Sequence, residues 1–201
     1  HSVVVGIVTN NQDTDGMARV KVRFPWLAED AESNWIRIAS PMAGNGRGMI
    51  FLPEVDDEVL IAFENGDLNR PYVLGALWNG EDNPPETNSD GHNNIRKIRS
   101  RSGHEIVFND DDTAHHEKIE IHTNAGHIIT MDDSSGAEKI EIKDKTGNNS
   151  IKLDSVQNAI SITGSTKVTV DAPTVELTSQ GNMTFRANGI LTIQGSMVRI
   201  N

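Results

Sequence analysis

Residues 117–144 read EKIEIHTNAGHIITMDDSSGAEKIEIKD and contain the pentapeptide EKIEI twice, at 117–121 and at 138–142. Another short alternating segment, HIITM, lies between the two copies. Alternation of apolar and polar residues over about five positions is typical of a strand that buries one face. Gly, Asn, Asp and Ser separate the segments, as they do in turns. This stretch therefore predicts a short β-strand that is repeated along the chain.

The alternating pattern extends from Ile106 to the C-terminus, and the spacing between successive apolar pairs falls from 13 to 7 residues. Self-similarity of this kind indicates a repeat architecture in which stacked strands bury a continuous narrow core. The pairs are Ile106/Phe108, Ile119/Ile121, Ile129/Met131, Ile140/Ile142, Ile151/Leu153, Ile160/Ile162, Val168/Val170, Val175/Leu177, Met183/Phe185, Leu191/Ile193 and Val198/Ile200.

Each unit buries about two side chains, because strand side chains alternate between faces, so no unit is stable alone. A meander of hairpins would leave a flat one-sided sheet with two exposed edges, whereas a β-helical prism has no long edges. Periodicity does not decide between one chain and three chains wound together. We assign twelve residues to the inward-facing core: Ile119, Ile121, Ile140, Ile142, Ile151, Leu153, Ile160, Ile162, Val168, Val170, Val175 and Leu177.

The first 80 residues have a different character. They hold seven of the nine aromatic residues, which suggests a compact domain with an aromatic core. Segments such as ARVKVRF, with Val20, Val22 and Phe24 on one face, alternate and end in Pro, Gly or Asn, so we expect five or six strands in a small closed barrel. We therefore divide the chain into a barrel (1–80), a linker or loop (81–94) and a repeat spike (95–201).

Composition limits the classes of function. The net charge of −11 disfavours proteins that neutralise phosphates of nucleic acid or of a membrane surface. The absence of cysteine excludes disulfides and thiolate metal sites. No apolar run approaches the roughly 20 residues of a membrane span, and no signal peptide is visible. Because the first residue is His rather than Met, we expect a processed or shortened chain whose upstream domains are missing.

Three motifs of the first part carry a family resemblance: ARVKVRFPWL (18–27), SNWIRIASPMAGNGRGMIFLPEVDDEVLIAFENGD (33–67) and NRPYVLGALWNGEDNPPE (69–86). In this order they resemble the barrel of VgrG proteins and of the central spikes of contractile-phage baseplates. Asp56 departs from the pattern, because the family often has Gly before DEV, and the local turn depends on this residue. The alternating tail resembles the β-helix that follows the barrel in this family.

The resemblance implies an all-β chain with an OB-fold barrel followed by a triangular, intertwined trimeric β-helix. It implies a homotrimer that works as the central, membrane-puncturing spike of a contractile injection system, of type VI secretion, an extracellular contractile particle or a phage tail. Expected partners are an upstream hub domain, the tube, the baseplate and effectors. Such a spike is assembled in the bacterial cytoplasm and delivered outward, and it pierces the target membrane without stable binding.

The resemblance also implies a tip. The last strand runs to the final residue, which would expose the end of the stacked core. In VgrG systems a conical PAAR protein covers this blunt end. We therefore expect a PAAR-like protein to dock on the last turn, at Met197, Val198, Ile200 and Asn201.

We predict no catalytic residue, no cofactor and no metal. Residues 109–122 collect Asp110, Asp111, Asp112, His115, His116, Glu117 and His122, whose types could bind a metal, but their spacing matches no EF-hand or paired-His motif. A solvated turn explains them more simply. AGNGRG (43–48) lacks the Lys-Ser/Thr ending of a phosphate loop, so it is expected to be a strand-connecting turn.

Two other functions deserve comparison with the spike. Single-strand nucleic-acid binding needs a basic groove with exposed aromatics, whereas residues 1–80 carry six Lys and Arg against eleven Asp and Glu, and their aromatics are expected in the core. The alternative reading is a β-helical tail-fibre protein that binds or degrades polysaccharide. Degradation would need paired carboxylates in a groove, which the sequence does not locate.

Overall fold

The β-branched, alternating segments between residues 4 and 76 form a five-stranded barrel. In the computed structural model, which describes residues 3–27, 31–113 and 115–200, the chain divides into two units, 1–99 and 100–201. Over these residues the fold is all-β, with a 3-10 turn at Glu64–Gly66. The first unit contains β1 (Val4–Asn10), β2 (Lys21–Arg23), β3 (Arg37–Ile38), β4 (Ala43–Gly44), β5 (Arg47–Gly48), β6 (Glu58–Phe63), β7 (Pro71–Ala76) and β8 (Ile95–Arg99).

The barrel closes through two backbone hydrogen bonds. Strand β1 pairs with β2 on one side and β6 on the other, β6 pairs with β7, and β7 runs parallel to β3. The N–H of Val20 donates to the carbonyl of Ile36 at 3.0 Å, and the N–H of Ile36 donates back at 2.7 Å. This bridge joins the segments of β2 and β3 and closes the ring at that point, as in a small Greek-key barrel. The predicted OB-type barrel is confirmed.

Valine and isoleucine, rather than aromatic residues, fill this barrel. The alternation predicted for ARVKVRF is confirmed, because Val20, Val22 and Phe24 are all buried. The prediction of an aromatic core is wrong, since Phe24 is the only aromatic side chain buried among the described residues. Trp26 is exposed because the chain turns at residues 25–27, and Trp78 is exposed in the loop after β7, so strand alternation directs neither side chain. The core residues are Val8, Val20, Val22, Phe24, Ile36, Val59, Ile61 and Val73.

Two turns of the barrel answer questions raised by the sequence. Asp56, which stands at the position of a family glycine, has φ = 77°, the left-handed conformation that Asp adopts more readily than most non-glycine residues. Its N–H donates to the carbonyl of Val8 at 2.8 Å, so the turn extends the pairing beside β1. AGNGRG is the tight hairpin of β4 and β5, with Gly46 at φ = 65°, as expected for a strand-connecting turn.

The second unit is an antiparallel meander of five-residue strands, each paired with its neighbours in sequence, and the described residues of the single chain form no β-helix. Every pairing runs without a register shift. None of the described residues after Thr163 is assigned to a strand. The strands are β9 (Glu105–Asn109), β10 (Lys118–His122), β11 (Ile128–Asp132), β12 (Lys139–Lys143), β13 (Ser150–Asp154) and β14 (Ala159–Thr163).

Candidate functional site: an exposed apolar face on the repeat sheet

The strict register of β9–β14 aligns twelve apolar side chains in two columns on one face. Because side chains alternate along a strand, a register without slips keeps every apolar pair on the same face. We call this face the apolar ladder. One column contains Phe108, Ile119, Met131, Ile140, Leu153 and Ile160, and the other contains Ile106, Ile121, Ile129, Ile142, Ile151 and Ile162.

The apolar ladder is the more exposed face of this sheet. On β11, Ile129 is 39% exposed, whereas the neighbouring Thr130, which points to the opposite face, is 7% exposed. At the end of the stack Ile160 is 74% exposed. A half-buried antiparallel sheet normally packs its apolar face and leaves its polar face in water. The exposure is therefore inverted within the single chain.

The ladder is large enough to act as an interface. Six strands spaced about 4.8 Å apart give a face roughly 24 Å long. An open trough of about 450 Å³ runs along one column, with Ile121, Ile129, Ile142 and Ile151 in its lining. Contiguous exposed apolar patches beyond a few hundred Å² mark interaction sites on soluble proteins. The ladder is thus the surface of the second unit that most requires a partner.

The opposite face carries ordered charge. Cross-strand neighbours alternate in sign along one column, from Lys118 to Asp132, Lys139 and Asp154. Within β13, Nζ of Lys152 lies 2.8 Å from Oδ2 of Asp154. The hydrogen bond that Lys152 donates lowers the pKa of the Asp154 carboxyl. Alternating charges on a solvated strand face stabilise the register and discourage association through that face.

A second repeat runs through the turns at one end of the strands. The N–H of Asn124 donates to Nδ1 of His104 at 3.2 Å, and the N–H of Lys145 donates to Nδ1 of His127, also at 3.2 Å. In the next turn the N–H of Ser165 donates to Oδ1 of Asn149 at 3.0 Å. Each turn is thus capped by a side chain of the turn before it.

The sequence reasoning missed these caps, although a signal was present. A glycine precedes the cap residue in each turn, directly before His104 and His127, and these glycines have positive φ of 87° and 97°. The repeated Gly-His dipeptide therefore marked the stacked turns. In the third turn, the side-chain amide of Asn149 and the hydroxyl of Thr146 donate to Asp144 and lower the pKa of that carboxyl to about 2.

The acidic, His-rich segment between β9 and β10 is a hydrogen-bonded turn. The N–H of His116 donates to the carbonyl of Asp111 at 2.9 Å, and the hydroxyl of Thr113 donates to the carboxylate of Asp111 at 2.7 Å. His122 lies on β10 beside Glu120, with Nε2 3.6 Å from the carboxylate. Within the residues that the structure describes, no group of three His, Asp or Glu side chains is arranged to hold a metal ion.

The predicted core and docking residues divide between the apolar ladder and segments outside the paired strands. Eight of the twelve predicted core residues, from Ile119 to Ile162, belong to the apolar ladder. Met197, Val198 and Ile200 of the predicted docking surface are exposed, and Asn201 lies outside the described residues. The other four predicted core residues are exposed in segments without strand pairing: Val168, Val170, Val175 and Leu177.

Comparison with known proteins places the barrel in a family. Residues 4–78 match the family described as the type VI secretion system/phage-baseplate injector OB domain. The type VI secretion system spike protein VgrG4b of Pseudomonas aeruginosa is 34% identical over 146 residues, which cover 60% of this chain and 18% of that protein. The actin cross-linking toxin VgrG1 of Vibrio cholerae is 30% identical over 128 residues, or 60% of this chain and 12% of that protein.

A further relative, the type VI secretion system spike protein VgrG3 of Vibrio cholerae, is also 30% identical over 128 residues and 12% of its length. The chain thus spans less than a fifth of the length of these relatives. None of the described residues forms a helix with the length and apolar character needed to cross a membrane.

Proposed function

We propose that this chain, whose barrel belongs to the OB-domain family of type VI secretion and phage-baseplate injector proteins, forms part of the central spike with which a contractile injection system punctures a membrane. The observation that carries this proposal is the apolar ladder, which is exposed in one chain and lies opposite a charged face. Three copies that turn their ladders toward a common axis would bury them in one continuous core. The charged faces would then form the outside of a narrow rod.

The function of such a rod is mechanical. Its strands are hydrogen-bonded to both neighbours, and its core of isoleucine and valine has few rotamers, which makes the shaft stiff. Contraction of a sheath would supply the force, and the shaft would transmit it without catalytic residues. In this proposal the chain would be assembled in the bacterial cytoplasm and delivered outward, with a hub domain, tube, baseplate and effectors as partners.

The later apolar pairs support a structure made by several chains. Residues 164–200 continue the apolar pairs but have no paired strand among the described residues. In a β-helix wound from three chains, backbone groups of such segments pair with other copies instead of with their own chain. The same segments would then contribute Val168, Val170, Val175 and Leu177 to the shared core, as the sequence predicted.

Light scattering on the full chain tests the proposal directly. We expect a mass three times the 22.0 kDa of one chain, and slow dissociation on dilution, because separating interwoven chains breaks many non-local contacts together. A monodisperse monomer would refute the trimer. Binding to a glycan array or release of reducing sugars would favour the polysaccharide-binding fibre instead.

The tip is the second part of this proposal. The exposed apolar side chains of Met197, Val198 and Ile200 support a docking surface for a PAAR-like tip protein, one per trimer. Deletion of residues 195–201 should abolish binding of the tip protein while the trimer persists. Met183→Ser, at an exposed apolar residue outside the deleted segment, is the control and should bind the tip normally. Unchanged affinity of the deletion variant would exclude this docking surface.

A further inference from the structure

A short apolar arm projects from the barrel at residues 40–51. It consists of β4, β5 and the flanking residues, and its base is fixed by the hydroxyl of Ser40, which lies 3.0 Å from the carbonyl of Met42 and 2.7 Å from that of Met49. The N–H of Met49 also donates to the carbonyl of Met42 at 3.0 Å. These contacts give the arm a defined shape although every residue in it is exposed.

The chemistry of the arm differs from that of the rest of the chain. Ile50 is 75% exposed and Phe51 is 66% exposed, so the arm presents bulky apolar groups to water. Residues 39–53 contain no acidic residue and one cation, Arg47, in a chain of net charge −11. Arg47 has no carboxylate within salt-bridge distance among the described residues. Its guanidinium lies over Gly44, where an added Cβ would be 2.9 Å from Cζ.

A pocket of about 370 Å³ in the same unit has the complementary chemistry. Trp78, 68% exposed, lies beside it with Leu77. One wall is rigid, because the side chain of Asn79 accepts hydrogen bonds from the N–H groups of Glu81 and Asp82. Four carboxylates line this acidic pocket, and no described Lys or Arg is paired with them: Asp57, Glu58, Glu81 and Asp82.

We propose that the arm of one copy inserts into the acidic pocket of a neighbouring copy, with Arg47 among the carboxylates and the apolar side chains of the arm against Trp78. Charge complementarity selects this occupant, because the arm is an apolar segment with a cation that has no carboxylate partner among the described residues, and the pocket combines an exposed aromatic with carboxylates that no described Lys or Arg neutralises. A guanidinium approaching Trp78 would also gain a cation–π contact.

The contact joins two different surfaces of the same chain, so it is heterologous, and it closes into a ring of three if neighbouring copies are related by a third of a turn. Three copies would therefore each give one arm and receive one. The inference rests on the proposed trimer, and it adds a contact that would hold neighbouring barrels in a defined orientation around the axis. It would act in addition to the apolar ladder of the second unit.

Photo-crosslinking of the full chain tests the arm contact. Because the chain has no cysteine, Asn45→Cys at the tip of the arm can be labelled uniquely with benzophenone maleimide. Irradiation should give covalent dimers and trimers in denaturing gels, and mass spectrometry should map the crosslink to residues around Trp78 of another copy. Gln12→Cys, at an exposed loop residue of the same barrel, is the matched control and should give no crosslink there.

Charge variants make the test specific. Arg47→Glu should lower the yield of the crosslink about tenfold, Arg47→Lys should retain most of it, and Arg47→Glu combined with Glu81→Arg should recover part of it. A trimer whose Asn45→Cys label reacts within its own chain, or with another surface, would overturn the arm contact and leave the proposed function intact. A chain that is monomeric by light scattering would overturn both.

Discussion

Ile128 and Ile129 are adjacent on β11 but point to opposite faces. Comparing the loss of stability from the same substitution at each position therefore tests whether other copies cover the apolar ladder. In the single chain Ile128, opposite His122 and Lys143, is the better covered of the two. Ile129 belongs to the apolar ladder, opposite Ile121 and Ile142. If no partner covers the ladder, Ile128→Thr should cost at least as much stability as Ile129→Thr. If copies cover it, the order must reverse.

The magnitude follows from what threonine removes. Ile→Thr deletes a methyl group and replaces a methylene by a hydroxyl, so a buried site loses roughly 1.6 kcal/mol of apolar transfer free energy. A hydroxyl without a hydrogen-bond partner in an apolar core costs roughly 1–3 kcal/mol more. We therefore expect Ile129→Thr to cost roughly 3 kcal/mol per chain, or roughly 9 kcal/mol per trimer. Ile128→Thr, at a half-buried position on the charged face that would form the outside of the trimer, should cost about 1 kcal/mol per chain or less.

The assay is guanidinium unfolding followed by circular dichroism at one fixed chain concentration, because the stability of an oligomer depends on concentration. Both residues are β-branched before substitution and after it, so the strand propensity of β11 is nearly unchanged. Light scattering on each variant establishes its oligomeric state before unfolding. Equal losses, or a larger loss for Ile128→Thr, would refute the idea that other copies cover the ladder.

Three further predictions concern single sites. Gly6→Val should strongly destabilise the barrel in thermal unfolding, since a Cβ there would lie 2.6 Å from Cδ1 of Ile61; a melting temperature within a degree or so of the parent would contradict this packing. The pKa of Asp144 is lowered to about 2 from 3.8, so its stabilisation is complete above pH 3.8 and is lost as pH falls toward 2; unfolding of Asp144→Asn should lack that component, and an unchanged acid profile would exclude it. His127→Ala should cost about 1 kcal/mol per chain in denaturant unfolding by removing a turn cap, whereas His127→Asn should cost less because its amide oxygen can accept the same hydrogen bond; equal losses would argue against capping.

The sequence predicted the short strands and their apolar face because one rule governs both, but it favoured a β-helix over the antiparallel meander in which the single chain pairs them. Alternation with period two identifies the apolar face, and the aligned pairs from Ile106 to Ile162 fix the register without knowledge of distant contacts. The barrel was harder to predict from the sequence. Its strands were recognisable, but Trp26 and Trp78 follow strand ends, where periodicity gives no direction, and both were wrongly expected in the core.

Parts of the candidate site depend on contacts between segments, which no local pattern encodes. The closure of the barrel by Val20 and Ile36 joins two strands through a bridge of single residues. The caps formed by His104 and His127 depend on the stacking of one turn upon the next. The repeated Gly-His dipeptide hints at these caps, but only the aligned turns show that Nδ1 is the acceptor.

The two units differ in how much of their burial one chain achieves, and this difference argues for an assembled spike. In the barrel, a ring of five strands pairs its own edges and buries side chains such as Val59 and Ile61 completely. In the repeat sheet every strand contributes two apolar side chains to one open face, and adding strands along the stack only lengthens that face. Burial therefore cannot be completed by more of the same chain in the same sheet. Burial of the ladder requires another surface of the same length with the same spacing of about 4.8 Å between strands. A second and a third copy of the repeat meet both requirements, because they have the same strands.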